Sequence, residues 1–146
     1  MDVLYRTLIY LHVSSTIVSI GPFFILIPVL AKLRQAKDAE LAAYLHTFQM
    51  VVRLTKHAGH VLIISGILLI WLGPWTWKTP WIILTLVIMF SSLFFLARAF
   101  TPKLRKFNED QADKGLLVNQ LTRTLWMYIT LLMIMLWFMV VKPALW

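Results

Sequence analysis

The sequence predicts an all-α membrane protein in which residues 1–146 form a single domain, a bundle of four transmembrane helices. Apolar residues make up 60% of the chain and charged residues only 14%, against roughly 25% charged residues in a typical globular domain. The apolar residues form four runs, each close to the ~20 residues that cross a hydrocarbon core of about 30 Å. Backbone polar groups cannot stay unpaired in lipid, and the runs lack the apolar–polar alternation of barrel strands. Each run is therefore predicted to be a helix.

The first two spans are joined by a helical segment. Residues 4–33 have no basic segment before them and contain His12, so they are predicted to be a retained span rather than a cleaved signal peptide. The second span covers residues 57–75. Between residues 34 and 55, apolar residues recur at helical spacing, which predicts an amphipathic helix that runs directly into the second span. We expect it to protrude as a cytoplasmic extension.

The last two spans cover residues 81–100 and 125–141. Residues 73–80 contain two prolines and two tryptophans, a composition that predicts a tight turn at the lipid headgroups. Residues 101–115 form the most strongly polar stretch of the chain. They are predicted to be a solvated connection between the third and fourth spans.

The distribution of basic residues predicts the orientation. Five of the 14 Lys and Arg residues lie within residues 32–56 and six within residues 98–123, whereas Arg6, Lys78 and Lys142 are on the other side. Because basic residues concentrate on the cytoplasmic side, both termini are predicted to be outside, and the net charge of +8 reflects orientation rather than nucleic-acid binding. The compact four-span form favours a multi-pass protein of a bacterial plasma membrane.

Polar residues within the spans are the candidates for function, because they are costly in lipid and by default face the bundle interior. At about 100° per residue, His12 shares one stripe of the first helix with Tyr5, Ser15, Thr16 and Ser19. Small hydroxyls also allow close helix contact and bond to backbone carbonyls, so they do not by themselves predict a site. His12 does predict a site, because a buried imidazole needs a hydrogen-bond or metal partner for each nitrogen.

His57 and His60 are the other candidate metal ligands. They share about 100° of one face of the second helix with Arg53 and with three further polar residues: His46, Gln49 and Lys56. Alternatively, the part of this face up to Arg53 is the solvated side of an amphipathic helix. Gly59 would let another backbone or a flat ligand approach closely.

Arg98 and Arg123 lie at the inner ends of the third and fourth spans, at a depth similar to that of His57 and His60. Together with Arg53 they predict a basic pocket that suits a carboxylate, a phosphate headgroup or a haem propionate. The alternative is that both arginines reach to the lipid headgroups.

Haem b is the predicted cofactor. The chain has no cysteine, which excludes thiolate metal sites and Fe–S clusters. Histidines with no carboxylate in the spans suit haem iron better than hard cations, which need oxygen ligands. The depths of His12 and of the His57/His60 pair favour two sites over one shared haem. The predicted function is electron transfer, haem handling or respiratory-complex support. The predicted partner is quinone or a respiratory complex, and association into a homo-oligomer is an open alternative.

Copper is the alternative cofactor, in a non-catalytic transport or assembly protein for copper or a small solute. Methionines of the third and fourth spans, such as Met89 and Met127, can hold Cu(I) together with imidazole, but methionine is also common core filler. The motifs of hydrolases, zinc proteases and nucleotide-binding proteins are absent from the sequence. No catalytic residue is predicted.

Several residues resemble a known family. Leu11-His12-Val13, Gly21, Pro28 and the Gly-Pro-Trp at residues 73–75 look like a family of bacterial four-span integral membrane proteins without an assigned activity. More distantly, the chain resembles HemJ-type protoporphyrinogen oxidases and the membrane domain of copper-resistance D proteins, a resemblance that implies haem at His12. The HemJ-type third helix carries a Lys after a Trp-x-His run, whereas residues 81–83 here are Trp-Ile-Ile. The resemblance therefore implies haem binding and not the oxidase activity.

Overall fold

In a computed structural model that describes residues 2–107 and 113–145, apart from the side chain of Asp38, the described chain is helical throughout its regular elements. The helices are α1 (Val3–Leu33), α2 (Asp38–Leu72), α3 (Pro80–Phe95), α4 (Thr101–Lys106) and α5 (Lys114–Val141). A π-helical turn, Leu96–Phe100, joins α3 to α4. Residues 108–112, within the predicted polar connection, and Trp146 lie outside the described residues.

Four helical segments are long and apolar enough to cross a membrane: Val3–Leu33, Ala39–Leu72, Pro80–Lys106 and Lys114–Val141. This confirms the prediction of an all-helical bundle with four candidate spans. The helices that contain the second and fourth spans, α2 and α5, begin at Asp38 and Lys114, well before the predicted spans. Their early turns are amphipathic, and they place side chains such as Phe48 and Leu121 in the core, so helix formation there depends on bundle packing rather than on lipid.

The helix ends follow from local sequence. Gly73 and Pro74 end α2, and Pro80 occupies the first turn of α3, where a missing backbone N–H costs nothing. Asp113 caps α5, because its side chain accepts a hydrogen bond from the backbone N–H of Leu116 at 3.3 Å. Pro102 has no N–H to bond to the carbonyl of Arg98, and the helix widens into the π turn directly before it.

The helices pack around a cluster of aromatic rings. α1 packs against α2 and α5, and α3 packs against α5. Phe23 of α1 lies 4.7 Å from Tyr128 of α5 between ring centroids, and Phe100 of the π turn lies 5.8 Å from Tyr128 and 5.6 Å from Phe48 of α2. All four rings are almost completely buried, so the π turn supplies part of the core.

The two ends of the bundle differ in character. At the termini end, the Lys142 ammonium lies 4.8 Å from the Trp75 ring and 5.6 Å from the Trp81 ring, and the Tyr5 hydroxyl lies against Gly73. The opposite end, called the basic end below, contains the connection between α1 and α2 and the basic helix α4.

Candidate functional site

His12 lies between α1 and α2. Its Nδ1 is 3.0 Å from the Ser65 hydroxyl oxygen, and a Cβ on Gly66 would come within 3.2 Å of its Cε1. The Ser65 hydroxyl donates to the Val61 carbonyl at 2.7 Å, so it accepts a hydrogen bond from Nδ1–H of His12. In a neutral imidazole this tautomer leaves the lone pair on Nε2, as in many metal-binding histidines.

The small hydroxyls near His12 are satisfied by the backbone of their own helix. Ser15 and Thr16 donate to the His12 carbonyl at 2.8 and 2.9 Å, and Ser19 donates to the Ser15 carbonyl at 2.8 Å. All three side chains are buried. The α1 stripe therefore faces the bundle as expected, and its hydroxyls serve close helix packing.

His57 and His60 are exposed on the outer surface of α2, so the expectation that they point into the bundle was wrong. Gly59 instead faces α3, where an added Cβ would meet Leu93 Cδ2 at 3.0 Å. Gly66, which meets His12, lies about 180° around α2 from His57. Small residues occupy the sides of α2 that contact other helices, because they let backbones approach closely, and the larger polar side chains lie elsewhere.

The exposed histidines retain an ordered arrangement. His60 Nδ1 lies 2.6 Å from the Lys56 carbonyl oxygen, which can only accept, so in the neutral imidazole Nδ1 carries the proton and the lone pair is on Nε2. The two imidazole centroids are 6.5 Å apart. Arg53 and Lys56 are exposed toward the basic end of the same side. We call these four residues, Arg53, Lys56, His57 and His60, the histidine face of α2.

Arg98 and Arg123 are both exposed and lie on other elements. The Arg98 guanidinium lies over the Phe94 ring, 5.1 Å from its centroid. Arg123 follows Thr122 on α5, a helix that packs against α1 and α3. Arg53, Arg98 and Arg123 are thus exposed on three elements, α2, the π turn and α5, and their grouping into one basic pocket stays a prediction.

Two features had no sequence-based prediction. The Arg34 guanidinium donates a hydrogen bond to the Asn119 side-chain oxygen and so links α1 to α5. Below this link, toward the middle of the bundle, a groove of about 370 Å³ runs between the two helices. The positive-inside distribution placed both residues near one end, but nothing in the sequence showed that α1 and α5 are neighbours.

The described part of the chain does not gather the histidines into a closed metal site. Among the described residues, no group of three or more His, Asp or Glu side chains is placed to hold a metal ion. His12 and His57 lie on opposite sides of α2, so one iron cannot bind both. A metal ion bound at either place would take at most two of its ligands from His, Asp or Glu side chains of the described residues. No protein family, curated protein or solved structure matches this chain, and the resemblance to bacterial four-span proteins stays a prediction.

Proposed function

We propose that the chain is a multi-pass protein of a bacterial plasma membrane that binds haem b on the histidine face of α2 and works in haem handling. The observation that carries the proposal is the exposure of His57 and His60. His57 is the first residue of the predicted second span, and His60 lies about 4.5 Å further into it. Polar side chains are costly at that depth unless something covers them, and a flat apolar macrocycle with an imidazole-binding iron covers both.

His60 is the proposed axial ligand. The Lys56 carbonyl fixes its Nδ1–H and leaves Nε2 to bind iron, and such support of a ligating histidine is characteristic of metal sites. Arg53 lies about 10 Å from His60 toward the basic end, where its guanidinium can pair with a haem propionate. His12 is the weaker candidate, because α2 closes the Nδ1 and Cε1 side of its ring.

An open site favours haem handling over electron transfer. Haem held from one side by a single imidazole can be taken over by a second protein. His57 and His60 belong to one helix, and His12 meets the opposite side of that helix at Gly66. The proposed recipient is a respiratory complex. Use of quinone belongs to the electron-transfer alternative, which would need a second axial ligand from a partner chain.

The basic end is proposed to face the cytoplasm, with both termini outside and the first turns of α2 as a cytoplasmic extension. A periplasm-dependent reporter enzyme fused after Trp146 is expected to be active, and the same reporter inserted after Gly115 is expected to be inactive. An active reporter at residue 115 together with an inactive one at the C-terminus would reverse this orientation.

The haem proposal is tested by reconstituting the detergent-purified protein with haem b and recording visible spectra. The wild-type protein is expected to show a Soret band with a sharp α-band after reduction. Loss of a group that hydrogen-bonds to a ligating histidine weakens metal binding about 10- to 100-fold, and His60→Ala, which removes the ligand itself, is expected to weaken haem binding at least as much. His46→Ala is the matched control, because His46 is exposed on the same helix closer to the basic end, and it should bind as wild type does.

Equal affinity in His60→Ala and wild type would contradict this ligand assignment, and a colourless reconstituted wild-type protein would contradict haem binding altogether. Copper transport or assembly is the second candidate, favoured by the 6.5 Å separation of the two imidazoles, since Cu(I) accepts imidazole ligands. A shared copper ion needs both rings, so His57→Ala and His60→Ala would each remove copper. Haem binding is expected to depend on His60 more than on His57.

A further inference from the structure

We infer that the groove between α1 and α5 binds an anionic phospholipid of the bilayer. The groove has a volume of about 370 Å³, and none of the residues that line it is acidic. Its walls belong to two helices that are long and apolar enough to span a membrane, so its open side faces lipid. Among the residues that line the groove are Ile27, Ala31, Arg34, Thr122, Leu125 and Trp126.

Polarity changes along the groove in the order found in a phospholipid. A hydrogen bond joins Arg34 to Asn119 at the basic end, so these residues of α1 and α5 lie at the same depth in the bundle. Along α5, Thr122 lies about 4.5 Å and Trp126 about 10 Å further toward the middle of the bundle. The Thr122 hydroxyl donates to the Val118 carbonyl at 2.8 Å, so the match lies in the guanidinium for a phosphate and in the apolar wall beyond it for an acyl chain.

The charge at the mouth selects an anionic lipid. One guanidinium nitrogen of Arg34 donates to Asn119, which holds the group in place while its other N–H donors remain suited to two phosphate oxygens. Arg123 is exposed on α5 about 6 Å further from the basic end than Asn119; it does not line the groove, but it adds positive charge to the same end of α5. Each such basic group near the headgroups favours anionic over zwitterionic lipid.

A second copy of the chain fits the groove less well than a lipid. Two copies related by a twofold axis at this groove would bring two Arg34 side chains together, and like charges repel. The groove is also narrow and apolar in its deeper part, with Ile27, Leu125 and Trp126 on its walls, a shape suited to one flexible chain.

The test measures how strongly spin-labelled lipids associate with the protein in phosphatidylcholine vesicles. Wild type is expected to prefer labelled phosphatidylglycerol over labelled phosphatidylcholine, and Arg34→Gln is expected to reduce this preference about fivefold, the effect of one basic group near the surface. Ala31→Phe is expected to lower the immobilised fraction of both lipids by filling the groove. Arg105→Gln is the matched control, because Arg105 is exposed on α4 and does not line the groove.

An unchanged preference in Arg34→Gln would overturn the site. So would equal reductions in Arg34→Gln and Arg105→Gln, since those would show diffuse attraction to the basic end. If Arg34→Gln does not fold, Ala31→Phe becomes the deciding variant, because Ala31 is exposed and a larger side chain there leaves the buried core intact. An unchanged immobilised fraction in that variant would then contradict the proposal.

Discussion

Tyr128→Ala is expected to lower the free energy of unfolding by about 2–4 kcal/mol. The Tyr128 side chain is 1% exposed and its ring lies between Phe23 of α1 and Phe95 of α3, at centroid distances of 4.7 and 6.2 Å. Phe100 meets it edge-on at 5.8 Å. In a bilayer, helices are held together mainly by close packing rather than by the hydrophobic effect, and a cavity at this point removes dispersion contacts from three helical segments at once.

Unfolding of the protein in mixed micelles of dodecyl maltoside and increasing SDS, followed by near-ultraviolet circular dichroism, measures this loss. Tyr128→Phe keeps the ring and removes only the hydroxyl that pairs with Ser92, so a loss of about 1 kcal/mol is expected. Met127→Ala, at a side chain that is 52% exposed, should change stability by less than about 0.5 kcal/mol. A Tyr128→Ala variant as stable as Met127→Ala would show that the aromatic cluster does not hold the bundle together.

The number and approximate position of the helices followed from the sequence because the cost of an unpaired backbone in lipid leaves few alternatives. The orientation of each helix about its own axis did not follow so well. Helical phase correctly grouped Arg53, His57 and His60 on one side of α2, but phase relates residues only to one another. It does not say which side meets a neighbouring helix.

In water the apolar side of a helix would be buried, but in lipid both sides of a span are apolar, and small residues decide where helices cross. On α2 the crossings use Gly59 against Leu93 and Gly66 against His12, so the histidine face lies away from both. On α1 the small hydroxyls fall on the same side as His12, and the inward expectation was right there for the same reason. Ser65 and Gly66, adjacent small residues within an apolar run, were the signal that could have identified the contact side of α2.

Gly66→Val is expected to destabilise the bundle by about 1–3 kcal/mol. A Cβ at this position would lie 3.2 Å from His12 Cε1 and 3.6 Å from its Nδ1, and the two methyl groups of valine would extend further toward α1. The imidazole cannot move away without stretching its 3.0 Å hydrogen bond to Ser65. Ala42→Val is the control on the same helix, because Ala42 is exposed and exposed substitutions usually change the free energy of unfolding by less than about 0.5 kcal/mol.

The contact is isolated by combining Gly66→Val with His12→Ala in the same unfolding assay. If the imidazole is what the valine meets, removing it makes room, and the double variant should be more stable than the sum of the two single losses predicts, by about 0.5–3 kcal/mol. Strictly additive losses would mean that α1 and α2 do not touch at this point. In that case the side of the His12 ring that α2 closes would be open, and His12 would regain its place beside His60 as a candidate haem ligand.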